Sequence, residues 1–249
     1  MVENLADFGV RVDINGAFYQ DTSPRYPPPE HLLPRSTRFQ HESRLQLAEQ
    51  GSDISFDITI IPGFCKDIRD VQNVMHEEMS RRHIWKDTIF AGFYISPILG
   101  DLLAMRLDVN EEPNPSTVIL EAFRLAAVLY VSDLRSKFDI DTLSGGPLYA
   151  TKLQALLSSS STGDWEAQTD FLIWILAIAF TSQSLFPEQR AGFTEMFSNA
   201  LAVGGISQFE DLKALLTRIV WDEEILDIQS RTLESLFATW QQQLMTNQG

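Results

Sequence analysis

Between residues 169 and 186 the chain reads TDFLIWILAIAFTSQSLF, and no charged side chain interrupts it from Phe171 to Phe180. A helix built from such a run is apolar on every face and cannot lie on a surface. At a rise of about 1.5 Å per residue, the uninterrupted part covers only about half the hydrocarbon width of a bilayer. The run therefore predicts a helix in the middle of a globular particle, sheathed by other helices. The expected fold is all-α: a single-domain irregular helical bundle around a central apolar helix at about 169–186.

The sheath has to come from the rest of the 249 residues, 44% of them hydrophobic, which is enough for one domain with a sizeable core. A net charge of -15 argues against affinity for DNA, RNA or an anionic membrane. Basic residues do not cluster beyond Arg35/Arg38 and Arg81/Arg82, so no direct nucleic-acid contact is expected. The single cysteine, Cys65, rules out an internal disulfide and a multi-cysteine metal site, and suits a reducing compartment. The opening MVENLADFGVRVD has neither the basic nor the apolar region of a secretion signal. An intracellular protein, cytoplasmic or nuclear, is the expectation.

Two regions are expected. Residues 1–52 are Pro-rich and mostly irregular, packed on the body through aromatics such as Phe18 and Tyr19, with a short helix at 38–50. Residues 53–249 form the all-helical domain. Within it, 54–61 (ISFDITII) reads as a strand on β-branched content, although nothing nearby can pair with it. Pro62 opens a helix to about Lys86, and one or two short helices follow to residue 107. After the NEEPNP loop, a broad apolar face runs from 116 to 137, interrupted by Glu121, Arg124 and Asp133. Pro147 starts a helix over 148–157, and Asp164 stands where it can cap the central one. Pro187 starts another, ending at Gly204-Gly205. Ser207 and Glu210 have capping-box spacing, and 231–244 is a last amphipathic helix.

A succession of segments within 116–227 carries a family resemblance: EAFRLAAVLYVSDL (121–134), a Leu-rich helix, the apolar helix around Trp174, PEQRAGFTEMF (187–197) and SQFEDLKALLTRIVWDEEILD (207–227). It resembles the C-terminal regulatory, or effector, region of fungal zinc-cluster transcription factors, and IIPGFCKDI extends the likeness upstream. The resemblance covers a little under half the chain and implies an all-α domain that controls activity, with, as in at least one sterol-responsive member, a pocket for a lipophilic ligand. The family's DNA-reading part uses six cysteines, which one cysteine cannot supply. Either the chain is a regulatory domain without that part, or the fold serves another task. The resemblance brings no catalytic residues with it.

Candidate chemistry is sparse. His83 and Asp87 sit one turn apart if the helix continues past Trp85, so that a carboxylate could orient an imidazole as a general base; an ion pair at a helix end is the plainer account. Asp222, Glu223, Glu224 and Asp227 could hold a divalent cation, or simply form a solvated helix end. No metal site and no cofactor are expected. The interior offers Phe123, Tyr130, Trp174 and Phe180 as a candidate ligand lining, with Gln183 at the exit of the apolar run and Asp170 at its entrance. Tyr130, Asp170, His83 and Asp87 are the candidate catalytic residues.

Two functions fit. One is a non-DNA-binding regulatory or sensor domain that takes a lipophilic small molecule or a protein partner. The other is a cofactor-free cyclase or isomerase of fungal secondary metabolism, folding an apolar substrate in the same interior. A homodimer is compatible with either.

Overall fold

Every residue from Val118 to Arg135 is buried in the computed structural model, which describes residues 5–26, 58–105, 114–140, 144–160 and 162–247. Nine helices of nine or more residues form among the described residues: α1 (Leu5–Gln20), α2 (Ile61–Met79), α3 (Ser96–Ala104), α4 (Pro115–Ser136), α5 (Gly146–Ser159), α6 (Thr169–Thr181), α7 (Pro187–Val203), α8 (Phe209–Ile219) and α9 (Asp227–Asn247). A single helical turn at Thr88–Phe90, short 3-10 turns at Ile58–Ile60 and Thr162–Gln168, and a π turn at Ala91–Ile95 complete the regular structure, and no strand occurs among the described residues. The fold is all-α.

The apolar run forms α6, buried without a break from Ile173 to Thr181. It ends at Thr181, and residues 182–186 turn into α7. α6 shares the centre with α4, which packs on it and also on α3 and α5; α7, α8 and α9 close the remaining sides of α6. The chain leaves α7 through Gly205, at φ +66, and Gly204 meets α6 so closely that a Cβ there would lie 2.8 Å from Ile173 Cδ1.

Three local expectations are corrected. Residues 58–60 form a 3-10 turn and Ile61 begins α2, so the expected strand at 54–61 is absent over its described half; 54–57 lie outside the described residues. With no neighbouring strand, the β-branched run has no ladder to join, whereas Pro62 starts a helix well and Ile61, Phe64, Cys65 and Ile68 share one buried face. α2 stops at Met79 rather than near Lys86. There Ser80 Oγ bonds back to the Glu77 carbonyl at 2.7 Å, and Arg82 turns to Glu78 and Asp87. The Ser207–Glu210 capping box does not form, because Gln208 occupies the cap position without a side-chain bond. A 3-10 turn precedes α6, whose cap residue is Gln168 rather than Asp164. The N-terminal region contains α1, a regular helix; the helix expected at 38–50 lies outside the described residues.

The charges that interrupt α4 are buried with partners. Glu121 grips Arg124 with two bonds of 2.7 Å, and Asp21, just past α1, reaches Arg124 at 3.3 Å and also pairs with Lys152. Burial alone would lower the Arg124 pKa, but the Glu121 and Asp21 carboxylates override it and hold the guanidinium charged. Burial likewise opposes ionisation of Asp21, yet Lys152 and Arg124 keep its carboxyl below the usual range. Asp21 also adopts φ +44, a conformation Asp tolerates better than Ala. Asp21→Ala is therefore expected to cost about 2–3 kcal/mol by urea denaturation, because it strands buried positive charge and strains the turn, with Asp21→Asn losing less. Arg135 is less well served: its Nη2 donates to Asn15 on α1, while Nε and Nη1 find no hydrogen-bond partner among the described residues.

Candidate functional site

The aromatic residues singled out from the sequence meet in the middle of the bundle. Trp174 stacks on Phe123, with ring centroids 5.6 Å apart, and Phe64 from α2 is tilted against Phe123 at 6.4 Å. The indole N–H donates to the Val220 carbonyl at 2.7 Å, so its polar atom is satisfied without a ligand. Tyr130 is fully enclosed and its hydroxyl accepts from Gln72 Nε2 at 2.6 Å. Burial, followed by the nearby carboxylates of Asp222 and Asp133, pushes its phenol well above the ordinary tyrosine range. Phe180 lies under the Arg190 guanidinium, 5.6 Å from its ring centre. Phe123, Tyr130 and Trp174 thus make a filled core.

Beside that core lies a sealed polar node. The Asp133 carboxylate on α4 accepts from Ser182 Oγ and from the Gln183 backbone N–H, each at 3.3 Å, and Ser182 bonds Ser184 at 2.9 Å. Arg190 clamps the end of α6 by donating to the Phe180 and Ser182 carbonyls. Burial raises the Asp133 carboxyl to about 7, against the pull of Gln229, Gln183, Ser182 and Arg190. Sequence spacing could not reveal this node, since it joins positions 49 residues apart.

The remaining candidates are dispersed. His83 is exposed in the turn after α2, and because α2 ends at Met79, helical spacing does not bring it to Asp87. Asp87 caps the Thr88–Phe90 turn, accepting from the Phe90 N–H at 2.9 Å, and pairs with Arg82 at 2.5 Å. Asp170 is exposed and pairs with Arg218 on α8. The acidic stretch after α8 is spread over three basic side chains: Asp222 and Glu224 lie 2.6 Å and 3.5 Å from His76, Glu223 pairs with Lys213 at 3.0 Å and Asp227 with Lys137 at 2.6 Å. Among the described residues, no group of three His, Cys, Asp or Glu is arranged to hold a metal ion. Cys65 is buried, and that burial pushes its thiol up to about 12, far from a reactive thiolate.

Open space lies on the opposite side of α6 from Trp174. A cleft of about 190 Å³ runs between the C-terminal ends of α5 and α7 and the first half of α6, with the 3-10 turn at its mouth. Leu172 and Leu176 from α6 form its floor, one turn apart. Leu157 closes one wall, and Met196, Ala200 and Val203 the other. Trp165 is buried along its edge, held by an indole N–H bond to Ser160 Oγ at 3.1 Å. Polar atoms are few. The Ser160 hydroxyl donates to the Leu157 carbonyl and that of Thr169 to the Trp165 and Glu166 carbonyls, leaving Glu166 and Asn199 to face solvent at the rim. An apolar cavity of about 150 Å³ is enough to take up benzene, so this cleft can hold a ring with a short tail.

None of these lining residues was among the sequence candidates. The signal available was that α6 is apolar all round while α7 shows Met196 and Ala200 on one side, which leaves a second apolar face of α6 to be covered. No protein-family model, curated protein or solved structure matches the chain. No helix among the described residues is long and apolar enough to cross a membrane.

Proposed function

We propose that the chain is a non-DNA-binding regulatory or sensor domain that takes a compact lipophilic small molecule into the cleft between α5, α6 and α7. The observation that carries this reading is an apolar, partly open cavity beside the most buried helices, whose floor is α6 itself. A ligand there touches the bundle's central helix and the ends of two others, so occupancy has a direct route to their packing. The net charge of -15 supports a role without nucleic acid. The likeness of residues 116–227 to fungal regulatory regions points the same way. Turnover by a cyclase or isomerase is the weaker reading, because among the described lining residues Glu166 is the one titratable side chain and has no second group there to return a proton.

The test is binding of small apolar probes without conversion. Ligand-observed NMR on the purified protein is expected to show saturable binding, and Ala200→Phe, which fills the cleft, is expected to weaken it at least tenfold. Val203→Trp at the exposed rim gives a second block should the first disturb packing. Wild-type protein that binds no apolar probe would sink the reading.

A further inference from the structure

The cleft carries a charge preference as well as an apolar one. Among the described residues its lining contains no Lys, Arg or His, and Glu166 supplies the single ionisable group. Glu166 makes no side-chain hydrogen bond or ion pair among the described residues, and Asn199 across the mouth adds an amide oxygen able to accept. The walls are the C-terminal ends of α5 and α7, where Leu157 and Ser160, and Asn199 to Val203, lie in or just beyond the last turns. Helix C-termini carry partial negative charge. The start of α6 on the floor opposes them, but two helix ends and a full carboxylate outweigh one N-terminus. The neighbouring Asp170 is already paired with Arg218. A fatty acid or other apolar anion entering here would meet no cation among the described lining residues and a protein of net charge -15.

We infer that the ligand, given the cleft-binding reading above, is a compact hydrophobic amine whose ring or branched chain lies on Leu172 and Leu176 and whose ammonium group meets Glu166 at the rim. The available volume, about 190 Å³, suits a single aromatic ring with a tail of two or three atoms. At a partly open site a single ion pair gives an amine about a tenfold advantage over its neutral isostere, and added salt erodes it.

Three probes of one shape separate the possibilities: 2-phenylethylamine, 2-phenylethanol and phenylacetic acid, titrated at low and high salt and followed by NMR. The amine is expected to bind about tenfold more tightly than the alcohol at low salt, with the acid weakest. Glu166→Gln is expected to remove the amine's advantage, bringing the amine to within about twofold of the alcohol. Equal binding of all three, preference for the acid, or an amine advantage that survives Glu166→Gln overturns the inference and leaves the cleft reading standing. Failure of all three to bind overturns both.

Discussion

Trp174→Ala is expected to lower stability by about 5 kcal/mol, enough to unfold a domain at the weak end of the usual range. The indole is wholly enclosed, stacks on Phe123 and donates to the Val220 carbonyl. Truncation removes the ring from a packed centre, leaves a cavity that the surrounding helices can only partly collapse into, and deprives a carbonyl of its partner. Trp174→Phe keeps much of the ring contact and is expected to lose about 2 kcal/mol. Urea denaturation checks both, through a lowered midpoint at an unchanged slope. A Trp174→Ala protein as stable as the parent would mean that the centre of the bundle lies elsewhere.

The second large effect is a pH dependence centred on Asp133. Its folded pKa, about 7, lies above the ordinary carboxyl value of 3.8. A group raised in this way favours the folded state fully below the lower value, and that advantage fades as pH climbs through the higher one. A shift of about three units corresponds to roughly 4 kcal/mol at most. Asp133→Asn, which keeps an acceptor for the Gln183 N–H and cannot ionise, is expected to match the parent near pH 4 and exceed its stability by up to that amount at pH 8. Carboxylates held below the usual range, such as Asp21 and Asp227, pull the other way as pH falls. They are common to both proteins, so the difference between the two stability curves isolates Asp133. A difference that stays flat from pH 4 to 8 would contradict the assignment.

The fold class was legible because α6 admits one environment: a run apolar on every side has to be enclosed. α4 was less so. Its charged residues read as interruptions of a half-buried face, yet Glu121, Arg124 and Asp133 go into the interior because Asp21, Ser182 and Gln183 arrive from distant parts of the chain to meet them. Such pairings are set by tertiary packing and leave no local spacing to read. The strand expected at 54–61 is absent over 58–61 for a related reason, since β-branched content describes a preference that needs a partner strand to be realised. The open cleft lies one face of α6 away from the aromatic residues the sequence singled out. Large aromatics pointed to Trp174 and Tyr130, but size fills space, and the room lies where shorter side chains, Leu172, Leu176, Ala200 and Val203, leave it.

The bond from Trp174 to Val220 spans 46 positions and crosses the Gly204–Gly205 turn. A recombinant fragment or gene fusion that ended at that turn would abandon an indole donor deep inside the molecule with nothing to accept from it. α8 and α9 therefore cannot be treated as an appendage to the seven helices before them. The seam that glycine turn suggests to the eye is bridged by a buried bond, and a shortened version of the chain has to be trimmed elsewhere.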